Sequence, residues 1–118
     1  MKRLIVVMML LAWFVTPASA DFDGGMAAYQ REDYATAFRE FKSLAEKGAA
    51  EAQNILGVMY DKGQGVPQDY VQAHMWLTLA AAQGVKQATK ARDRLASKMS
   101  SAQIEEAQQL AHEWKPKK

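Results

Sequence analysis

Gly63 and Gly65 stand two residues apart, Asp69 follows, and Gly84 closes the next apolar pattern; this punctuation constrains the chain more than any other feature. Upstream of it, Ala52, Ile55, Leu56, Met59 and Tyr60 recur at steps of three and four, which predicts a helix with one buried face that ends at the glycine pair. Downstream, Asp69 is an N-cap, with Gln72 three residues on to reach back to its amide. Ala73, Trp76, Leu77, Ala80 and Ala81 form the buried stripe of this second helix. Gly84 falls at the C′ position, where a left-handed turn is cheap without a Cβ. The unit is a helical hairpin with apolar faces that it cannot cover alone.

Part of that punctuation occurs twice. At an offset of 36 residues (69 − 33), Asp33 aligns with Asp69, Tyr34 with Tyr70, Ala37 with Ala73, Ala45 with Ala81, Gly48 with Gly84 and Ala52 with Ala88. A period in the mid-thirties with matching caps and small residues marks stacked repeats, since each unit must offer its neighbour the same face. The first copy lacks the Gly-x-Gly loop. It pairs a short helix over Gly25, Met26, Ala27, Ala28 and Tyr29, broken near Glu32, with one capped by Asp33 that buries Ala37, Phe38, Phe41, Leu44 and Ala45 and ends at Gly48.

The series Ala52, Leu56, Gly57, Tyr60, Gly63, Gly65, Val66, Asp69, Ala73, Trp76, Ala80, Ala81, Gly84 and Ala88 resembles one complete Sel-1-like repeat, a relative of the tetratricopeptide repeat with a longer loop. The resemblance is good from about Gly25 to Ala88 and only general beyond. It implies an all-α fold, a short α/α solenoid of antiparallel helix pairs with a C-terminal capping pair. It also implies an interaction scaffold without catalysis or cofactor.

Beyond Gly84, Ala88, Ala91, Leu95 and Met99 line a fifth helix, and Ser100 with Gln103 makes a capping box for a sixth, whose face carries Ile104, Ala107, Ala111 and Trp114. This pair keeps the amphipathic pattern and lacks the glycine signature, as a terminal cap should. The expected organisation is a leader over 1–20, a helical domain over 21–114 with units about 25–48 and 52–84 and a cap over 86–114, and a basic tail over 115–118. Trp114 is expected to close the open end of the cap. The tail lysines are expected to be solvated.

Lys2 and Arg3 precede an apolar run from Leu4 to Val15, and Ala18, Ser19 and Ala20 supply small residues, the pattern of a secretory signal cleaved before Asp21. The run is too short for a mature membrane span, so no stable insertion is expected after cleavage. Of the 15 basic residues two leave with the leader, so 13 face 13 acidic ones in the mature chain. That balance removes the electrostatic footprint of a nucleic-acid binder. With no cysteine, an exported domain must stand on helix packing, without disulfides.

His74 and His112 lie in different predicted helices without a metal-ligand pattern, and adjacent Glu105 and Glu106 point to different sides of theirs. No catalytic, cofactor or metal site is expected. His74 reads as a partly exposed helix residue. Gly57 stands mid-helix, where it costs about 1 kcal/mol relative to alanine, so close approach of the paired helix should offset it.

The surface expected to bind is the side of the first helix opposite its buried stripe. At 100° per residue this side carries Asn54, Val58 and Asp61, edged by Glu51 and Lys62, with Val58 exposed as its apolar contact. The leading functional expectation is a periplasmic or secreted module that binds a protein or peptide of the cell envelope. The alternatives are an accessory, inhibitor or activator of an envelope hydrolase, and a self-assembling module in which a short array gains stability by weak pairing with itself.

Overall fold

A computed structural model describes residues 21–118, so the leader expected over 1–20 lies outside the described residues. These form six helices and no strand: α1 Phe22–Gln30, α2 Tyr34–Glu46, α3 Ala50–Lys62, α4 Tyr70–Ala82, α5 Lys86–Ala96 and α6 Ser101–Glu113. Side chains fix four of the starts. Asp21, Asp33, Asp69 and Ser100 accept from the amides of Asp23, Thr36, Gln72 and Gln103. Hydrogen bonds from Thr36 hold the Asp33 carboxyl below the usual carboxylate range. The expected reciprocal bond at Ser100 is present, with Gln103 Oε1 accepting from the Ser100 amide at 2.9 Å. At Asp69 it is not: the Asp69 amide donates to the Tyr60 carbonyl at 3.0 Å, so the incoming loop has already satisfied the donor that Gln72 was expected to bind.

The ends share one device. After α2 the Gly48 amide donates to Ala45 and the Ala49 amide to Leu44; after α4 the Gly84 amide donates to Ala81 and the Val85 amide to Ala80. These paired bonds satisfy carbonyls that a helix end leaves open, and they turn the chain through a left-handed residue. Gly48 and Gly84 take that conformation at φ 100° and 96°. At the end of α1 it is taken by Glu32, at φ 62°, which explains why the sequence shows a break there without a glycine. An apolar residue follows each glycine, Ala49 and then Val85, and α3 and α5 begin there without a side-chain cap.

Close packing of α3 on α4 organises the middle of the chain. A Cβ at Gly57 would lie 2.7 Å from Leu77 Cγ and 3.1 Å from the Ala73 carbonyl oxygen, so the missing side chain is the space into which α4 settles. α4 then feeds two cores. Met75 and Trp76 join Ala28, Phe41, Ala45, Ala52, Leu56 and Met59 in one, while Ala73, Leu77 and Ala80 join Val85, Ala88 and Leu95 in the other. Because α3, α5 and α6 all pack against it, α4 is buried over five consecutive residues, Ala73 to Leu77. His74 is therefore 3% exposed and not a partly exposed surface residue.

The C-terminal region departs from a simple stacked pair. α6 packs along α4 rather than against α5, because its face of Ala107, Leu110, Ala111 and Trp114 finds apolar surface there. Trp114 meets Trp76 edge-on, with ring centroids 6.0 Å apart, and closes this core as expected. The tail is docked, not free: the Lys117 amide donates to the Glu46 carbonyl at 2.7 Å and its Nζ pairs with Glu46 Oε2 at 2.8 Å. Two glutamines complete this junction. Buried Gln53 donates to the Ala45 carbonyl at 3.2 Å and accepts from Gln83 at 2.9 Å, while Gln83 also donates to the Gly48 carbonyl at 3.0 Å.

Gly57→Ala should cost about 1–2 kcal/mol, because overpacking against Leu77 and the Ala73 carbonyl exceeds the gain in helix propensity. Urea unfolding measures it, and Leu77→Ala in the same chain should recover part of the loss. At His74, burial pushes the imidazole pKa below the ordinary value, Arg92 pushes the same way and Asp93 opposes them. The unfolded chain takes up this proton below about pH 6.5, so the contribution to stability is complete above that pH and declines as pH falls toward the folded-state value. The urea midpoint of His74→Gln should accordingly change less than that of the parent between about pH 7 and pH 5.

Candidate functional site

The five predicted face residues do not form one patch of equal exposure. Glu51 and Lys62 are exposed at the two ends of α3, whereas Asn54, Val58 and Asp61 are half-buried. Val58 is therefore not the free apolar contact its position suggested, since it also packs against the core shared by α4 and α5. Two of the five, Asn54 and Val58, come together with Ile55 on α3 and with Met26 and Tyr29 on α1 to line a cleft of about 150 Å³. Glu51, Asp61 and Lys62 do not line it. The backbone carbonyl of Asp61 instead accepts from Gln68 Nε2 at 2.6 Å, which ties the end of α3 to the following loop.

The cleft follows from how α1 lies beside α3. Tyr29 stands edge-on to Tyr34, with centroids 5.2 Å apart, and its hydroxyl donates to Gln64 Oε1 at 2.8 Å. The glycine-flanked loop therefore fixes one wall of the cleft by holding that ring. Met26 and Ile55 supply flexible and branched apolar surface. Asn54 supplies the polar feature: its Oδ1 is buried without a hydrogen-bond partner, a condition that costs about 1–3 kcal/mol. An apolar side chain is the chemistry that fits these walls. Met26 and Ile55 were read from the sequence as helix and core residues, and no periodicity signal could have brought α1 to this edge of α3.

A second cavity, of about 340 Å³, opens where α5 and α6 diverge over α4 and is lined by His74, Thr78, Arg92, Asp93, Ala96, Ile104 and Gln108. Four of its polar groups form two pairs. Thr78 Oγ1 lies 3.3 Å from His74 Nδ1, and Arg92 donates to Asp93 at 3.3 Å. Burial raises the pKa of the Tyr60 phenol, on the opposite side of α4, and Asp69 and Glu46 push it the same way, so it stays a neutral packing group. Among the described residues no group of three or more His, Asp or Glu side chains is placed to hold a metal ion. None of the described helices is long and apolar enough to cross a membrane.

Residues 50–85 match the family model of the Sel1 repeat. No curated protein sequence matches the chain. Among solved structures, it is similar to a protective antigen present in uropathogenic Escherichia coli strains, whose crystal structure displays an SLR fold, with 31% identity and a TM-score of 0.75. That match covers 79% of this chain and 21% of the other, so the present chain spans about a fifth of its length. The matched segment runs from the start of α3 to the residue before α5, which is the hairpin with the Gly-x-Gly loop. The chain therefore contains a segment that matches a Sel1 repeat, and its described residues form a short all-helical solenoid similar to that SLR fold.

Proposed function

We propose that this chain is an exported helical-repeat module that holds a protein or peptide of the cell envelope against the side of α1 and α3 where Met26, Asn54 and Val58 meet. The observation that carries this reading is the cleft itself. It is apolar, and it is framed by first helices of consecutive units. A small apolar recess between two helices suits an apolar side chain carried by an extended chain. The repeat match supports an interaction scaffold, and the leader-like pattern at residues 1–20 supports export.

Crosslinked capture from envelope extracts, followed by identification of the captured protein, tests the reading directly. Val58→Lys and Asn54→Ala should each lose the partner that the parent chain captures. Asp61→Arg lies outside the cleft and should keep it. The melting temperature of Asn54→Ala should be at or above the parent value, because the substitution removes a buried oxygen without a partner and breaks no paired hydrogen bond. Undiminished capture by both cleft variants would move the binding surface to another face.

A further inference from the structure

Basic residues recur at every fourth position through the first helix of the cap: Lys86, Lys90, Arg94 and, just beyond its end, Lys98. All four are exposed. Like charges four residues apart repel on a helix by a few tenths of a kcal/mol per pair, so the row weakens the helix that carries it. Among the described residues none of the four forms an ion pair. The one acidic residue of the helix, Asp93, is engaged by its neighbour Arg92 on the side that faces α6. Ala88 and Leu95 are buried, and Arg92 and Asp93 turn toward the cavity under α6, so at 100° per residue Lys90 and Arg94 lie on the side away from α6.

That side is the one that carries the cleft in the preceding unit. At the offset of 36 residues, Lys90 takes the place of Asn54, Arg94 that of Val58 and Lys98 that of Lys62. α3 and α5 touch each other directly, so an apolar recess and an uncompensated cationic row lie side by side on one surface. Resting on the reading above, we infer that the partner segment is an extended peptide with an apolar residue for the Met26–Val58 cleft and carboxylates for Lys90 and Arg94. Packed helices lie about 8–10 Å apart and an extended chain advances about 3.3 Å per residue, so the carboxylates stand about three residues from the apolar anchor. The cations act by complementing the charge of that segment and by rejecting basic ones.

The test uses the full chain and a set of fluorescein-labelled peptides with one leucine and two adjacent glutamates, spaced from one to six residues apart in a serine and alanine background. Fluorescence anisotropy should give the tightest binding near a spacing of three, and replacing both glutamates by glutamine should weaken it by about ten-fold. Lys90→Glu with Arg94→Glu should erase the difference between glutamate and glutamine peptides while leaving the melting temperature unchanged. Val58→Lys should remove both. Equal binding of glutamate and glutamine peptides to the parent chain would overturn the charge assignment and leave the cleft standing, whereas no binding by any peptide would take the cleft reading down with it. Vesicles of phosphatidylcholine with about one-third phosphatidylserine form the other arm. Vesicle binding that disappears with Lys90→Glu, without discrimination among peptides, would assign the row to a lipid surface and overturn the proposal.

Discussion

The approach of α4 to α3 at Gly57 sets the geometry on which the rest of this chain depends. With no side chain at that point, Leu77 and the backbone near Ala73 come close enough that a single Cβ would collide with both. Seated that deeply, α4 has no free side. It presents Met75 and Trp76 to the helices before it and Ala73, Leu77 and Ala80 to the helix after it, so one helix joins two cores that would otherwise be separate. A helix that is apolar nearly all round is stable in water only when it is enclosed in this way. The burial of His74 is a by-product of that enclosure, and the Thr78 hydroxyl supplies the partner that a buried imidazole nitrogen needs.

The second constraint is polar and sits at the far end of α2. Helix ends leave carbonyls without partners, and this end lies under other parts of the chain, where water cannot easily satisfy them. Three separate segments bring donors. The side chain of Gln53 reaches Ala45, the side chain of Gln83 reaches Gly48, and the backbone of Lys117 reaches Glu46. These donors come from α3, from the end of α4 and from the C-terminal tail, so the junction holds the first unit, the second unit and the cap in one register. Gln53 is fully buried and has both ends of its amide engaged, which is the condition under which a polar side chain belongs in a core.

Local features were legible in the sequence, and long-range ones were legible only where the repeat period exposed them. Asp33, Asp69 and Ser100 could be read as caps because capping is decided within four residues, and Gly48 and Gly84 as ends for the same reason. The alanines at 37, 45, 52, 73 and 88 could be read as contact positions because they recur at the repeat period. The amphipathic face of α6 was visible too, yet such a face states that a partner exists and not which helix it is. Its choice of α4 over α5, and with it the docking of Lys117, depended on apolar surface that Trp76 offers only after folding. The burial of Gln53 had no signal in the sequence, because a glutamine in a helix carries no sign of the carbonyl that it will meet. The cleft was half legible: Asn54 and Val58 followed from the wheel, while Met26 and Ile55 had been assigned to helix and core roles that hide their second exposure.

Comparison of the two hairpins shows what the repeat fixes and what it leaves free. Positions that touch the neighbouring unit carry the same residue twice: Ala37 and Ala73, Ala45 and Ala81, and Ala52 and Ala88. Stacking decides these, because a larger side chain at any one of them would push two helices apart, and close-packed interiors transmit such a change. Positions on the open side of the first helices carry different residues at equivalent places, amide and valine on α3 against lysine and arginine on α5. Val58 is partly held by the core between α4 and α5, whereas at the exposed Lys90 and Arg94 nothing in the stacking restrains the choice. Substitutions there change stability by a few tenths of a kcal/mol, while each alters what an incoming chain would meet. A solenoid thus separates its two tasks by face: the repeated alanines hold the helices at a fixed spacing, and that spacing lets unlike side chains on adjacent helices form a surface no single hairpin could present.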